Sequence, residues 1–151
     1  TKIINHGIPG DTTGGVLDRL FLSTKLQMKK YFIHIGINDL VLTDLSFEQI
    51  AQNIITIKEE IEKACPHAEV FVISLTPVLE THEISNKDFI LWRNNTQIIQ
   101  INTLLFKKST VINIHTPLLK DNRLNPEFTS DGIHLNDMGY QVYYETIKPF
   151  L

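Results

Sequence analysis

Four short runs of this chain are apolar almost without interruption and end in polar loops: Lys2-Ile3-Ile4-Asn5, Tyr31-Phe32-Ile33-His34-Ile35, Glu69-Val70-Phe71-Val72-Ile73-Ser74 and Thr110-Val111-Ile112-Asn113-Ile114. Runs of this length, rich in Ile, Val and Phe and closed by Gly or Asn, predict strands, and their continuous apolar character predicts burial on both faces. The stretches between them carry a helical period. The clearest begins at Ser46, which has capping-box spacing to Gln49, places Phe47, Ile50, Ile54, Ile57 and Ile61 on one face, and stops at Pro66. A second helix is predicted from about Asn86 to Lys108 with Ile90, Ile98, Ile101 and Leu105 inward, and a third after Asn136. Gly7, Pro9 and Gly10 mark a turn into a further helix capped by Asp11 or Thr12. Alternating strands and helices predict one three-layer α/β domain over residues 1–151 with a parallel sheet, whose functional loops gather at the carboxyl ends of the strands.

Composition narrows the partners. With 151 residues, 42% of them hydrophobic and 21% charged, the chain is long enough to bury a core. A net charge of -3 and the lack of any basic run argue against a nucleic-acid backbone as partner. No apolar stretch reaches the length of a membrane span. The single cysteine, Cys65, makes no internal disulfide, leaves the compartment open and has no neighbours at zinc-ligand spacing; the six histidines include no pair at ligand spacing on one helix, so no metal or other cofactor is expected.

The chemistry lies in the loops. Asp131 and His134 stand three residues apart in a polar turn ahead of the last helix, a spacing that lets the carboxylate reach the near ring nitrogen and leaves the other free to take a proton. Asn38, after the second strand, offers an amide donor, and Gly10, lacking a side chain, lets a backbone N–H approach a substrate oxygen. Each has an ordinary reading as a turn residue; together, at successive strand ends, they match the base, its orienter and the oxyanion donors of an acyl transfer. Asp39 reads as a brace for the Asn38 loop, His6 as a turn residue and His34 as a packed or hydrogen-bonded histidine.

Asn5-His6-Gly7-Ile8-Pro9-Gly10-Asp11-Thr12-Thr13, then Gly36-Ile37-Asn38-Asp39, then Asp131-Gly132-Ile133-His134 resemble the second, third and fifth blocks of the SGNH (GDSL-type) hydrolases. The likeness is greatest to the branch similar to platelet-activating-factor acetylhydrolase catalytic subunits and bacterial acylhydrolases, and Arg93 and Asn102 resemble residues common in that branch. The resemblance implies a flavodoxin-like fold, a small ester as substrate, oxyanion donors at Gly10 and Asn38, and a triad completed by Asp131 and His134.

The first block of that pattern, Gly-Asp-Ser with the nucleophilic serine, is missing. Thr12 stands too few positions ahead of Asn38 to be its threonine version, and Ser23, Ser46, Ser74, Ser85, Ser109 and Ser130 all lack the strand-to-helix elbow of a nucleophile. The serine and its strand are therefore expected upstream, about 30 residues of a βα unit. Their absence would leave a slot between the Ile3-Ile4 and Phe32-Ile35 strands, at about 1–3 kcal/mol per buried unpaired group, and make the chain aggregation-prone or a homo-oligomer. The expected function is an ester hydrolase that removes a short acyl group from an alcohol or sugar. The rivals are a non-catalytic module that binds a carbohydrate or protein, and a phosphate binder, which Asp11 in the glycine loop disfavours.

Overall fold

The computed structural model describes residues 3–80 and 93–151. Its centre is a parallel sheet of β1 (Lys30–Ile33), β2 (Glu69–Ile73) and β3 (Val111–Ile112), in the order β1-β2-β3. Tyr31 aligns with Val70, Ile33 with Val72, and Ile73 with Ile112. Alternation along the strands sends Ile33 and Val72 to one face and Phe32, Phe71 and Ile73 to the other.

The first face is covered by α1 (Thr13–Thr24), α3 (Phe47–Ala64) and α4 (Asn95–Lys108); a short α2 (Asp39–Leu42) lies between β1 and α3. α3 forms where expected, with the Ser46/Gln49 capping box closed in both directions and Ile50, Ile54, Ile57 and Ile61 buried. The other face is covered by α5 (Asp137–Ile147), whose Val142, Tyr143 and Ile147 pack against the cluster of Ile73, Ile112, Ile114, Leu118 and Leu124. Phe71 stacks on Phe32 and meets Phe150 edge-on, with centroids 5.1 and 5.5 Å apart. Three layers result, as the alternation predicted.

Three details depart from the sequence reading. The described part of the first apolar run, Ile3-Ile4-Asn5, forms no strand, and Ile3 is 72% exposed. An extended apolar segment becomes a strand only when a neighbouring edge accepts its N–H and C=O groups, and among the described residues β1 pairs with β2 alone. The second long helix begins later than expected, because Asn94 is its N-cap and closes a box with Gln97; residues 86–92, with Ile90, lie outside the described residues. The periodicity also missed a hairpin of β4 (Leu119–Lys120) and β5 (Arg123–Leu124). Asp121 and Asn122 turn it with φ of 53° and 61°, the two positive angles of a tight hairpin turn.

One segment ties the layers to the loops. After β2 the chain runs as an irregular buried strap from Ser74 to Leu79, and its polar groups find side chains where a ladder would otherwise supply partners. Asn102 of α4 receives the Leu75 N–H at 2.8 Å and donates to the Leu75 carbonyl at 3.1 Å. Asn95 does the same for Val78, at 2.9 and 2.8 Å. Seven residues of helix rise about 10.5 Å, and three steps of extended chain cover about 10 Å, so the two amides meet the strap in register. Asn102→Ala should leave two buried backbone groups unpaired and cost about 2–4 kcal/mol in urea unfolding, whereas Thr103→Ala on the exposed side should stay within about 0.5 kcal/mol. Equal midpoints for the two variants would refute the clamp.

Candidate active site

The Asp131 turn is built by its own carboxylate. Oδ1 accepts the N–H groups of Ile133 and His134 at 2.9 and 2.8 Å, while Oδ2 meets His134 Nδ1 at 2.5 Å. Thr129 closes the turn from below: its hydroxyl donates to the His134 carbonyl at 2.7 Å and accepts the Gly132 N–H at 2.8 Å. Gly132 takes φ of 87°, a region where a side chain would be strained. Facing a carboxylate, Nδ1 is the protonated ring nitrogen, so Nε2 carries the lone pair. The His134 side chain is 72% exposed, which leaves that lone pair accessible. The pairing expected from the spacing is thus present.

The Asn38 loop is fastened by groups from three directions. Asn38 Nδ2 donates to the backbone carbonyl of Asp11 at 2.9 Å, which sets the amide beside Gly10. Gly10 itself adopts φ of 75° in the turn closed by the Asp11 N–H on the Ile8 carbonyl at 3.2 Å, and a Cβ there would meet nothing. Arg93 Nη2 donates to Asn38 Oδ1 at 2.9 Å and Arg93 Nε to the Ile37 carbonyl at 3.2 Å. Asp39 is fully buried and accepts from the Thr13 N–H at 3.0 and 3.2 Å and from its hydroxyl at 2.6 Å. Asn53 completes that network by donating to the Thr13 hydroxyl at 2.9 Å. A carboxylate at the first turn of α1 also suits the positive end of the helix dipole. Asp39 therefore braces the loop.

Both groups stand at the carboxyl side of the sheet. Asn38 follows β1, and the Asp131 turn is held to the strap after β2 by the Leu79 N–H on the Gly132 carbonyl at 2.8 Å. Ile133 packs on the same core cluster as Ile35, Ile37 and Leu40, which flank Asn38.

Most of the remaining polar candidates hold structure. Thr12 caps α1, accepting the Gly15 N–H. Ser46 caps α3, and Ser109 is the C-cap of α4. Ser74 is fully buried and accepts the N–H groups of Ile114 and His115 at 3.0 and 3.1 Å. Ser23 bonds His6 Nδ1 at 2.7 Å, Ser130 is exposed within the Asp131 turn, and Ser85 lies outside the described residues. His34 bonds the Tyr143 hydroxyl at 3.1 Å. The role of Arg93 escaped the sequence reading, since its partners lie more than fifty positions away.

This architecture is a mixed α/β fold around a parallel sheet, and solved structures share it. One is a Streptococcus pneumonia protein provisionally described as a platelet activating factor, with 26% identity and a TM-score of 0.83 over 97% of this chain and 71% of that one. A GDSL-like lipase from Bacteroides thetaiotaomicron is 23% identical, with a TM-score of 0.82 over 97% and 74%. The acetyl xylan esterase AlAXEase is 16% identical, with a TM-score of 0.75 over 99% and 81%. A search of curated protein sequences found no significant match. Residues 1–142 match the pattern of the GDSL-like lipase/acylhydrolase family, and the chain belongs to that family.

Burial alone would raise the Asp131 pKa, but the His134 ring hydrogen bond, the two backbone N–H groups and the charge of the ring together outweigh it and hold the carboxyl below its ordinary value. Burial lowers the Arg93 guanidinium pKa as well, yet an arginine keeps its charge throughout the working range. Because the Asp131 pKa is lower in the folded than in the unfolded chain, its contribution to stability is fully present above about pH 3.9 and is lost as pH falls through the depressed folded value. Asp131→Asn should therefore be less stable than the parent at pH 7, and the gap should close as acid is added. Chemical unfolding of both proteins from pH 7 to pH 2 measures it; a gap that widens in acid would reverse the assigned direction.

Proposed function

We propose that this chain carries the base, its orienter and the oxyanion donors of a serine esterase that removes a short acyl group, such as acetyl, from an alcohol or sugar hydroxyl. The observation that carries the reading is the Asp131–His134 pair, held at 2.5 Å through Nδ1 while the rest of the ring stays exposed. A histidine so held has one tautomer and one open nitrogen, the state that a general base needs.

In the proposed cycle a serine hydroxyl gives its proton to His134 Nε2 as its oxygen attacks the ester carbonyl. The negative charge that forms on the carbonyl oxygen is met by the Gly10 N–H and the Asn38 amide. Collapse of the tetrahedral species expels the alcohol oxygen, which takes the proton from His134, and leaves the acyl group on the serine. Water then repeats both steps and releases the acid. The serine is assigned to an element seated against the edge of β1 that is unpaired among the described residues, in keeping with the Gly-Asp-Ser block of the family and with the structural duties of Ser23, Ser46, Ser74 and Ser109. The incomplete cover beside that sheet supports such an element: Thr13 is the one buried residue of α1, and Gly139 that of α5. A likeness in fold to an acetyl xylan esterase favours a sugar-bound acetyl among the substrates.

In the complete protein His134→Ala should abolish hydrolysis of p-nitrophenyl acetate with the fold intact, and Asn38→Ala should lower turnover by about 10²–10³-fold. Unchanged rates in both variants would leave a non-catalytic carbohydrate- or protein-binding module as the better reading. Residues Thr1–Leu151 expressed alone should self-associate through the β1 edge left unpaired among the described residues and turn over ester poorly. A monodisperse monomer with full activity in sedimentation and rate measurements would overturn the assignment of the serine to an added element.

A further inference from the structure

The Asn38 carboxamide is held at both ends by partners that admit a single orientation. Its Nδ2 faces the Asp11 carbonyl at 2.9 Å, and its Oδ1 faces Arg93 Nη2 at 2.9 Å. A guanidinium has donors and no acceptor, and a carbonyl oxygen accepts and cannot donate. A flipped amide would set NH2 against guanidinium and oxygen against oxygen, losing two hydrogen bonds for two repulsions. With the orientation set, one Nδ2 hydrogen is committed to Asp11 and the second is free to meet a substrate oxygen.

Arg93 does more than choose the orientation. It is 4% exposed, so its charge acts on the amide with little screening by water. A cation at Oδ1 draws electron density through the conjugated amide and makes the remote N–H a stronger donor. Its Nε also holds the Ile37 carbonyl at 3.2 Å, so a single planar group fixes the peptide before Asn38 together with the side chain of Asn38. Arg93 immediately precedes the Asn94 cap of α4, and α4 is anchored to the strap through Asn95.

We infer that Arg93 is a positioning residue for the oxyanion donor: it selects and polarises the amide orientation in which Asn38 Nδ2 points its second hydrogen at the developing oxyanion. The inference rests on the reading of Asn38 as that donor; the orientation of the amide does not. Arg93 acts through Asn38 and touches no reacting atom.

The test is a double-mutant cycle in the complete protein, with p-nitrophenyl acetate as substrate and Arg93→Met, Arg93→Lys, Asn38→Ala and Arg93→Met/Asn38→Ala as variants. Arg93→Met should lower kcat by about 10–100-fold, less than loss of the donor itself, with KM unchanged. In the Asn38→Ala background the same change should cost less than about twofold, because the group it acts through is gone. Arg93→Lys keeps the charge but not the planar fork and should fall between parent and Met; it carries the test if the Met variant fails to fold. An equal cost of Arg93→Met in both backgrounds, or parental kcat in a folded Arg93→Met or Arg93→Lys variant, would overturn the inference. A second readout needs no turnover: the two side-chain amide protons of Asn38, followed by nitrogen-edited NMR, should move toward the positions of a solvated asparagine in Arg93→Met. If even the parent hydrolyses no ester, the esterase reading fails on its own, and unmoved Asn38 amide resonances would then separately overturn the hold of Arg93 on the amide.

Discussion

The arrangement at the carboxyl end of the sheet depends on two asparagines that stand in for a β-strand. Asn95 and Asn102 lie two helical turns apart on α4, and each gives one donor and one acceptor to the strap that leaves β2. A buried segment outside any ladder must find partners for its backbone groups or cost free energy for each that is left unpaired. With the strap held, Leu79 holds the Gly132 carbonyl and Val78 receives the Leu124 N–H at 3.1 Å, so the Asp131 turn and the β4-β5 hairpin both hang from it. Arg93, just ahead of the cap of the same helix, reaches the Asn38 loop. One helix and the residue before its cap thus tie the Asp131 turn and the Asn38 loop to the same strap.

Two aspartates show how position divides similar chemistry into different duties. Asp39 is fully buried, and Thr13 alone gives it a backbone N–H and a hydroxyl at the start of α1. It is spent on holding the Asn38 loop against that helix. Asp131 is partly exposed, divides its oxygens between two backbone N–H groups and one imidazole nitrogen, and so couples the shape of its turn to the tautomer of His134. Removing Asp39 would act on the scaffold, whereas removing Asp131 would release the His134 ring and the backbone of its own turn.

The Asn38 amide is held by the same logic, with a cation in place of an anion. An amide is a modest donor whose two ends look alike in shape, and a site that uses one must decide which end faces the substrate. Here the decision is made by an acceptor that cannot donate and a donor that cannot accept, brought from the Gly10 loop and from the start of α4. Two contacts together fix the orientation.

Much of this was legible along the chain. Apolar runs and the Ser46/Gln49 cap placed the sheet strands and α3, because burial on two faces and capping are written in neighbouring residues. The spacing of Asp131 and His134 announced their pairing for the same reason: the bond closes within a single turn. The Ile3-Ile4-Asn5 run misled, since a strand is a property of two segments and the second was not in view. The late start of α4 and the hairpin at Asp121-Asn122 turn on a cap and on two positive φ angles, which hydrophobic periodicity does not register. The sequence by itself therefore determined the class of fold, the family blocks and the Asp-His pair, all carried by local pattern. Only the tertiary structure decided that Arg93 orients Asn38, that Asp39 answers Thr13, and that Asn95 and Asn102 hold the strap, because those contacts join residues from 17 to 56 positions apart, and no spacing along a chain announces which distant groups its packing will bring within hydrogen-bonding reach.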